Sequence, residues 1–433
     1  MAAEEPVQPG KGAKVGEGQL PSHRNVVNRQ VRRRIGVLVS AHHRPPDVGQ
    51  ASQLAGQEKP RRSGHGDDTT SVETGGAMIG ISVPQRPVHC VVMLPVVMSG
   101  APPDGGSRAD EIDLRKYEKA DEADVLSLLQ ASLGWVPDDL FGRFFRWKHE
   151  ENAFGASPAW VAVHGDKVVG FRAFLRWEFV RGDQPIRAVR AVDTATHPAW
   201  QGKGLFSRLT TSALEELRAD GVDFVFNTPN EKSGPGYLKM GWQVVGKVPV
   251  LARLSSWRVL RKVSQSRQAA TKWSEPTSVG EPAAEVLGDR AAVAGLLSSQ
   301  PRPAGVATAR TPEFMRWRYG FAPLGYRALV PDGGSLEDGV ILFRLRRRGP
   351  SVEAAICDVL TPDGDRRAAA RLTAGVVRRS GADYAIRVGS GSWRGGFVPV
   401  PGLGPRLFWR SVSSTDMPSL GDWNLALGDV ELF

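Results

Sequence analysis

The sequence predicts a mixed α/β fold with two tandem domains of similar architecture. Three observations predict it. Strand-like apolar runs alternate with runs of helical apolar spacing from residue 112 onwards. A strand, a Gly-rich turn and a long helix follow one another around Gly202. Several features of the first half recur in order in the second half. The predicted parts are a disordered leader at 1–110, a first domain at 111–256, a linker at 257–284 and a second domain at 285–433.

The leader differs in composition from the rest of the chain. Residues 1–110 are rich in Gly, Pro, Gln, Ser and Arg and show no sustained period of 2 or 3.6 residues. Met98 precedes a polar segment that runs into the first predicted strand. A start at Met98 is therefore an alternative to a functional leader, and we expect the leader to be dispensable for folding.

The first domain begins with a strand and a helix. Residues 112–117 alternate like a half-buried strand, and residues 120–133 have helical apolar spacing. Two hairpin turns follow, one at residues 165–166 (Gly-Asp) and one at residues 181–183 (Arg-Gly-Asp). These elements predict an antiparallel region that leads into a strand over residues 186–196.

A Gly-rich turn connects that strand to a long helix. The turn reads Gln201-Gly202-Lys203-Gly204, and the helix after it ends at Gly221. The apolar positions of the helix recur at helical spacing: Leu205, Leu209, Ala213 and Leu217. A turn of this kind presents consecutive backbone N–H groups at a helix N-terminus, where the helix dipole favours an anion such as phosphate.

A second motif follows about thirty residues later. Tyr237 is followed four residues on by Gly241 and then by Trp242. The two motifs, in this order and at this distance, resemble the GNAT superfamily of acyl-CoA-dependent N-acyltransferases. That family's phosphate turn reads Gln/Arg-x-x-Gly-x-Gly/Ala, so Gln201 and Gly204 match. Phe206 departs from the small residue expected there, and we expect it to crowd the helix against the sheet or the pantetheine.

The resemblance implies a site for acetyl-CoA. The backbone groups of Thr194, Ala195 and Thr196 would pair with the pantetheine amides. The turn and the first helical residues would take the pyrophosphate: Gln201, Gly202, Lys203, Gly204, Leu205, Phe206 and Ser207. The Lys203 side chain would either add a charged contact or point to solvent. Asn227 or Asn230 would hydrogen-bond the cofactor, or alternatively form a turn beside Pro229.

The resemblance also suggests the catalytic groups. Tyr237 lies at the position that serves as general acid in many members, where a phenol protonates the departing thiolate. The alternative is an aromatic ring that packs the helix onto the sheet. Asp193 is the candidate general base, because partial burial would raise its pKa toward a useful range. Its alternative is a structural hydrogen-bond acceptor. Two further base candidates are His197 and the C-terminal carboxylate after Phe433.

The second domain is predicted to repeat the first without its chemistry. Phe144-x-Arg146-Trp147 recurs as Phe314-x-Arg316-Trp317, and the segment at 221–224 recurs at 381–384. Where the first copy has its Gly-rich turn, the second carries Asp363 and Asp365, whose charges would repel a pyrophosphate. We expect a degenerate copy that acts as a support or lid.

Net charge, apolar runs and cysteine count exclude some classes of partner and compartment. The net charge of +10 indicates an Arg-rich solvated surface or attraction of coenzyme A phosphates. The basic residues form no aromatic-interleaved stripe, so we expect no nucleic-acid partner. No apolar run approaches the length of a membrane helix, so no membrane partner is expected either. Two cysteines cannot make a disulfide framework, which suits a reducing cytosol.

The sequence therefore predicts an acetyl-CoA-dependent N-acetyltransferase in the cytoplasm. It would transfer an acyl group to the amine of a small molecule or amino sugar, or to an amine on a larger polymer, without a metal. One alternative is a non-catalytic acyl-CoA-binding or regulatory module. The other is a FemAB-type aminoacyl transferase, which the phosphate turn disfavours. The oligomeric state is open.

Overall fold

The protein is described by a computed structural model over residues 112–134, 139–266, 268–389 and 394–431. The leader predicted at 1–110 lies outside these ranges. The described residues form two mixed sheets with helices on their faces, so the predicted α/β class is confirmed. The strands are β1 Asp113–Lys116, β2 Ala159–His164, β3 Lys167–Arg181, β4 Gln184–Thr196, β5 Phe224–Asn227, β6 Gln243–Lys247, β7 Val250–Leu254, β8 Glu281–Pro282, β9 Val306–Thr308, β10 Arg327–Leu329, β11 Val340–Arg348, β12 Ser351–Leu360, β13 Tyr384–Val388, β14 Val398–Pro399, β15 Arg406–Ser411 and β16 Trp423–Asn424.

The helices follow the apolar spacing seen in the sequence. They are α1 Glu122–Leu133, α2 Asp139–His149, α3 Leu205–Ala219, α4 Gly234–Lys239, α5 Leu260–Ser264, α6 Ala283–Val286, α7 Arg290–Ser298, α8 Pro312–Gly320, α9 Arg366–Arg379 and α10 Leu427–Val430. In α3 the four predicted apolar positions are all buried. No helix within the described ranges has both the length and the apolar character that crossing a bilayer requires.

The first sheet has the strand order β1-β2-β3-β4-β5-β15-β6, with β9 beside β3 and β16 beside β9. Both predicted hairpins are present. Gly165 and Gly182 adopt φ values of 58° and 60°, which glycine reaches without strain. Strands β4 and β5 are parallel, and α3 connects them. One face of this sheet packs on α3 and α4, and the other faces the second half of the chain.

The second sheet has the order β14-β7-β13-β12-β11-β10-β8. Its β12 and β13 are parallel and connected by α9, which repeats the arrangement of β4, α3 and β5. Strand β7 directly follows β6 in the chain, yet it pairs with β13 and β14. Strand β15 comes from the second half and pairs with β5 and β6. The first half therefore gives β7 to the second sheet, and the second half gives β15, with the short β9 and β16, to the first sheet.

This exchange changes how the predicted domain boundaries are understood. The boundary after residue 256 leaves β7 in the first segment, although β7 completes the second sheet. The stretch predicted as a linker, 257–284, runs along the second sheet instead of spanning a gap. There the Thr271 and Glu275 N–H groups donate to carbonyls of β11. Polar composition misleads here because this backbone pairs at a sheet edge.

A pair of helices joins the halves with approximate two-fold symmetry. The Trp147 indole of α2 donates to the Trp317 carbonyl of α8 at 2.9 Å, and the Trp317 indole donates back to the Trp147 carbonyl at 2.8 Å. The two rings stack with centroids 5.4 Å apart. The repeated tryptophans of the sequence thus contact each other at equivalent positions.

The end of the chain is buried between the halves as far as it is described. Glu431 is 7% exposed and pairs with Arg344 and Arg346, each at 2.7 Å. Burial would raise the pKa of Glu431, but these guanidinium groups lower it to about 2. Arg190 of β4 donates to the carbonyls of Asp429 and Val430. The tail therefore packs directly against the strand that enters the Gly-rich turn.

Candidate active site

The site begins where two parallel strands part. Strands β4 and β5 pair only from Ala188 to Arg190 on the β4 side. Beyond that point they separate, and a cavity of about 520 Å³ opens between them. Its wall is completed by α3, α4 and the end of α1. The cavity is lined by Ser132, Leu133, Ala191, Val192, Asp193, Thr194, Ala195, Thr196, Gln201, Phe206, Asn227, Thr228, Pro229, Asn230, Lys232, Ser233, Gly236 and Tyr237.

The Gly-rich turn lies at one end of this cavity. Gly202 and Gly204 adopt φ values of 79° and 75°, in the left-handed region that favours glycine. Gln201 donates from its amide to the Thr196 carbonyl at 3.2 Å and so fixes the turn to the strand end. Gly204 caps α3 without a side-chain hydrogen bond. The first N–H groups of this helix therefore have no side-chain acceptor, as an anion site requires.

The cavity brings together most of the predicted site residues. Asp193 and Tyr237 both line it, together with Thr194 and the other predicted β4 residues, Gln201, Phe206 and Asn230. Gly202, Lys203, Gly204, Leu205 and Ser207 belong to the turn and the first turn of α3 beside it. The Leu205 side chain is buried in the core, so only its backbone could serve a ligand.

Lys203 does not reach toward the cavity. Its ammonium lies 4.1 Å from the centroid of the Trp200 ring, a cation–π contact on the protein surface.

The two asparagines differ in their partners. The Asn230 side-chain oxygen accepts from the N–H groups of Lys232 and Ser233, so it forms the turn before α4. Asn227 ends β5 and is 2% exposed, and its side-chain oxygen has no partner among the described residues. A buried polar atom without a partner is costly. Asn227 is therefore the asparagine with unused hydrogen-bonding capacity facing the cavity.

Tyr237 is held between two aromatic rings. Phe206 lies edge-on to it with centroids 5.3 Å apart, and Trp242 does the same from the other side at 5.2 Å. The bulky Phe206 is accommodated at Gly236, where an added Cβ would lie 2.9 Å from the Phe206 ring. The departure from the family pattern at position 206 is thus matched by a glycine on the facing helix.

Asp193 lies at a bulge in β4 and is ion-paired. Its carboxylate is 2.8 Å from the Lys148 ammonium and 2.7 Å from His149 Nε2, and its side chain is 7% exposed. Burial alone would raise the pKa of Asp193, but Lys148 and His149 lower it below the ordinary aspartate value. The expectation of a raised pKa at Asp193 is therefore wrong in its net direction, because the two partners outweigh burial. A carboxylate with a depressed pKa is a poor proton acceptor.

His149 is the neutral member of this group. Burial lowers its pKa despite the neighbouring carboxylate. We assign its proton to Nε2, because Asp193 accepts at that nitrogen. Neither Lys148 nor His149 was predicted from the sequence as a site residue. They lie on α2, 45 and 44 residues before Asp193, and no local pattern connects them to β4.

We expect Asp193→Asn to lower the free energy of unfolding by about 3 kcal/mol, since it leaves the buried Lys148 ammonium without a carboxylate. Because the folded pKa of Asp193 is depressed, its stabilisation is present above about pH 4 and is lost as the pH falls further. Urea unfolding at neutral and acidic pH measures both effects. The exposed pair of Asp183 with Arg302 provides the control, and Asp183→Asn should change little. Full stability with lost turnover in Asp193→Asn would instead support a base.

The structure describes only one of the other two base candidates, His197. His197 Nδ1 accepts from the Ala199 N–H and caps a short helical turn at the surface. The C-terminal carboxylate of Phe433 lies outside the described residues. Among those that are described, no group of three or more His, Cys, Asp or Glu side chains is placed to hold a metal ion.

The second half repeats the site's backbone with different side chains. A bulge in β12 places Cys357 where the bulge in β4 places Asp193. The helix after β12 begins at Asp365, whose carboxylate accepts from the Arg367 N–H at 2.7 Å. The N-terminus of α9 thus already holds an anion from its own chain, whereas that of α3 is open.

Residues 113–245 match the family model described as an acetyltransferase (GNAT) domain. The match spans β1 through β6, including both motifs and the cavity between them. This stretch is a GNAT acetyltransferase domain, as the sequence predicted. A search of curated protein sequences gives no match to the chain.

Three solved structures are similar to this chain at low sequence identity. A GCN5-related N-acetyltransferase from Kribbella flavida has 15% identity and a TM-score of 0.49, covering 70% of this chain and 73% of its own. Eis1 from Mycobacterium abscessus has 13% identity and a TM-score of 0.46, covering 70% and 74%. A probable N-acyltransferase of unknown function from Enterococcus faecalis V583 has 10% identity and a TM-score of 0.48, covering 70% and 73%. The assignment above rests on the domain match alone.

Proposed function

We propose that the protein is an acetyl-CoA-dependent N-acetyltransferase that acylates the amine of a small molecule or amino sugar. One observation carries the proposal. The cavity between β4 and β5 joins an open helix N-terminus to Tyr237 and to an unpartnered buried amide. An anion site, a passage between splayed strands and a proton donor are the three parts that acyl transfer from a thioester needs.

The residues present fit coenzyme A. The N–H groups after Gly204 would take the pyrophosphate, and the free edge of β4 at Thr194 to Thr196 would pair with the pantetheine amides. The Asn227 side-chain oxygen is an unused acceptor in the cavity wall, and it would accept from an N–H group of the cofactor. Bound acetyl-CoA supplies the activated acyl group, and the protein supplies its position and a proton at the Tyr237 hydroxyl.

The proton of the acceptor amine follows another route than the sequence suggested. The Asp193 carboxylate is paired with the Lys148 ammonium and accepts a hydrogen bond from neutral His149, so we propose that it anchors α2 to β4 and takes no proton. The acceptor amine would then lose its proton to solvent before it reaches the thioester. The second half serves as a support, because its helix terminus is self-capped and its strand β15 completes the first sheet.

The testing experiment is to incubate the protein with acetyl-CoA and a panel of amines and amino sugars. Release of free thiol above the rate of hydrolysis supports the transferase. Tight acetyl-CoA binding without thiol release on any amine would favour the non-catalytic binding module. Absence of acetyl-CoA binding, with activity on aminoacyl-tRNA, would favour the FemAB-type alternative.

Gly204→Glu should abolish acetyl-CoA binding, with an affinity loss of at least about 100-fold, because it places a carboxylate where the pyrophosphate is expected. Titration calorimetry measures the affinity. Gly204→Ala is the matched control, since both variants carry the strain of a side chain at φ 75° but only one adds charge. Equal affinities of Gly204→Glu and Gly204→Ala would contradict the phosphate assignment.

A further inference from the structure

Arg172 of β3 is a fully buried cation beside the cavity. Its guanidinium carbon lies 4.7 Å from the centroid of the Phe174 ring, 5.4 Å from that of Tyr237 and 5.7 Å from that of Phe206. Tyr237 and Phe206 line the cavity, so a single layer of side chains separates the guanidinium from it. The exposed fraction of Arg172 is 0%.

The polar partners of Arg172 are few. One Nη donates to the Thr194 hydroxyl, which also belongs to the cavity wall. Its Nε and other Nη have no partner among the described residues, and no described carboxylate forms an ion pair with it. A buried charge without a counter-charge is among the most costly features a fold can contain. The site therefore carries an uncompensated positive charge directly behind Tyr237.

The charged and titratable groups around Arg172 are limited. On α4 the facing group is Tyr237, and on α3 it is the uncharged Phe206. On β2 the paired residue is Trp160, whose indole donates to Glu216 of α3. On β4, Asp193 forms an ion pair with Lys148 of α2 and accepts a hydrogen bond from His149 of the same helix. None of these groups neutralises Arg172.

We propose that Arg172 supplies the counter-charge for the thiolate of coenzyme A that leaves during acyl transfer. The inference rests on the proposed function. In that reaction the amine nitrogen forms a bond to the acyl carbon, the C–S bond breaks, and its electron pair stays on sulfur. Tyr237 then gives its proton to sulfur, and the proton lost by the amine restores the phenol through solvent. The negative charge is thus first on the sulfur and then on the Tyr237 oxygen, and both positions are near the Arg172 guanidinium.

The position of Arg172 suits this role because low polarity strengthens the interaction. Three aromatic rings exclude water around the guanidinium. Charges attract each other more strongly in such surroundings than in water. The charge is also preorganised, since the bond to Thr194 and the stacked rings fix it before any ligand arrives. Arg172 touches the wall of the site and would act on the sulfur through space.

The test compares coenzyme A with desulfo-coenzyme A, in which hydrogen replaces the thiol, and needs no acceptor amine. An ordinary thiol has a pKa near 8.5, so a nearby cation should favour the bound thiolate at mildly alkaline pH. In the unaltered protein, the affinity for coenzyme A divided by that for desulfo-coenzyme A should rise about tenfold from mildly acidic to mildly alkaline pH. In Arg172→Met the ratio should stay constant, and Arg172→Lys should restore part of the rise.

Two controls separate the guanidinium from other causes. Tyr237→Phe should keep the pH-dependent rise, because it removes the phenol and leaves the cation. The ultraviolet absorbance of bound thiolate in the unaltered protein gives a second readout if Arg172→Met does not fold. A constant ratio in the unaltered protein, or an unchanged rise in Arg172→Met, would overturn the inference alone. Failure to bind either ligand would overturn the proposed function and this inference with it.

Discussion

Replacing Tyr237 with phenylalanine is expected to lower kcat by about 10²–10⁴-fold while acetyl-CoA affinity holds. The hydroxyl is needed only when the thiolate leaves, so its loss should affect the transition state and leave ground-state binding intact. The hydroxyl makes no hydrogen bond to the described residues, and the ring contacts with Phe206 and Trp242 do not depend on it. The substitution therefore removes a proton donor and leaves the packing.

Tyr117 offers a matched control for this substitution. Its hydroxyl is buried without a partner among the described residues, and burial raises its pKa to about 12. Its ring packs edge-on against Phe145 and Phe171, outside the cavity lining. Tyr117→Phe should leave turnover unchanged. If Tyr237→Phe also kept turnover within about threefold, far short of the loss expected of a general acid, Tyr237 would be a packing residue.

The parts of this site that were predicted from sequence are local in the chain. The Gly-rich turn needs glycine at φ values of 79° and 75°, and the helix after it has an unbroken apolar period. Both features lie within about twenty residues, where backbone geometry and periodicity dominate. The order of the two motifs in the chain matches that of the GNAT family. That resemblance predicted that the motifs face each other across the opening between β4 and β5.

The parts that were missed depend on contacts distant in sequence. Asp193 was given a raised pKa because its strand looked apolar, but its partners Lys148 and His149 lie on another element. Arg172 lies in a strand whose residues are mostly buried, and an arginine there would be expected on a solvent face. Its burial results from Phe174 of the same strand together with Phe206 of α3 and Tyr237 of α4, which lie far from it in sequence. Neither arrangement has a local signature.

The second half has a helix N-terminus equivalent to that of α3, but this one is not open to a ligand anion. Asp365 occupies the N-terminus of α9 with its own carboxylate, which lies where a ligand phosphate would otherwise bind. Cys357 replaces the bulge carboxylate and is buried, which raises its pKa and makes it inert. We propose that the halves arose by duplication, supported by the equivalent bulges and by the reciprocal Trp147–Trp317 contact.

The strand exchange has a stronger consequence than any single substitution in the site. Strand β6 reaches β5 only through β15, which comes from the second half. In β15, Leu407, Phe408 and Trp409 are buried in the first sheet. Phe408 belongs to the same apolar cluster as Tyr237, so the second half contributes part of the core that supports the site.

A chain ending after residue 256 is therefore expected not to fold, although it contains the complete GNAT family match at 113–245. It would lack β15, expose two unpaired strand edges and leave β7 without its sheet. Circular dichroism and acetyl-CoA calorimetry measure the loss. Co-expression with residues 257–433 should restore both signals, because each piece then supplies the strands that the other lacks. A cooperatively melting 111–256 fragment that binds acetyl-CoA alone would show that the exchanged strand is dispensable and that the boundary predicted from sequence is a true domain limit.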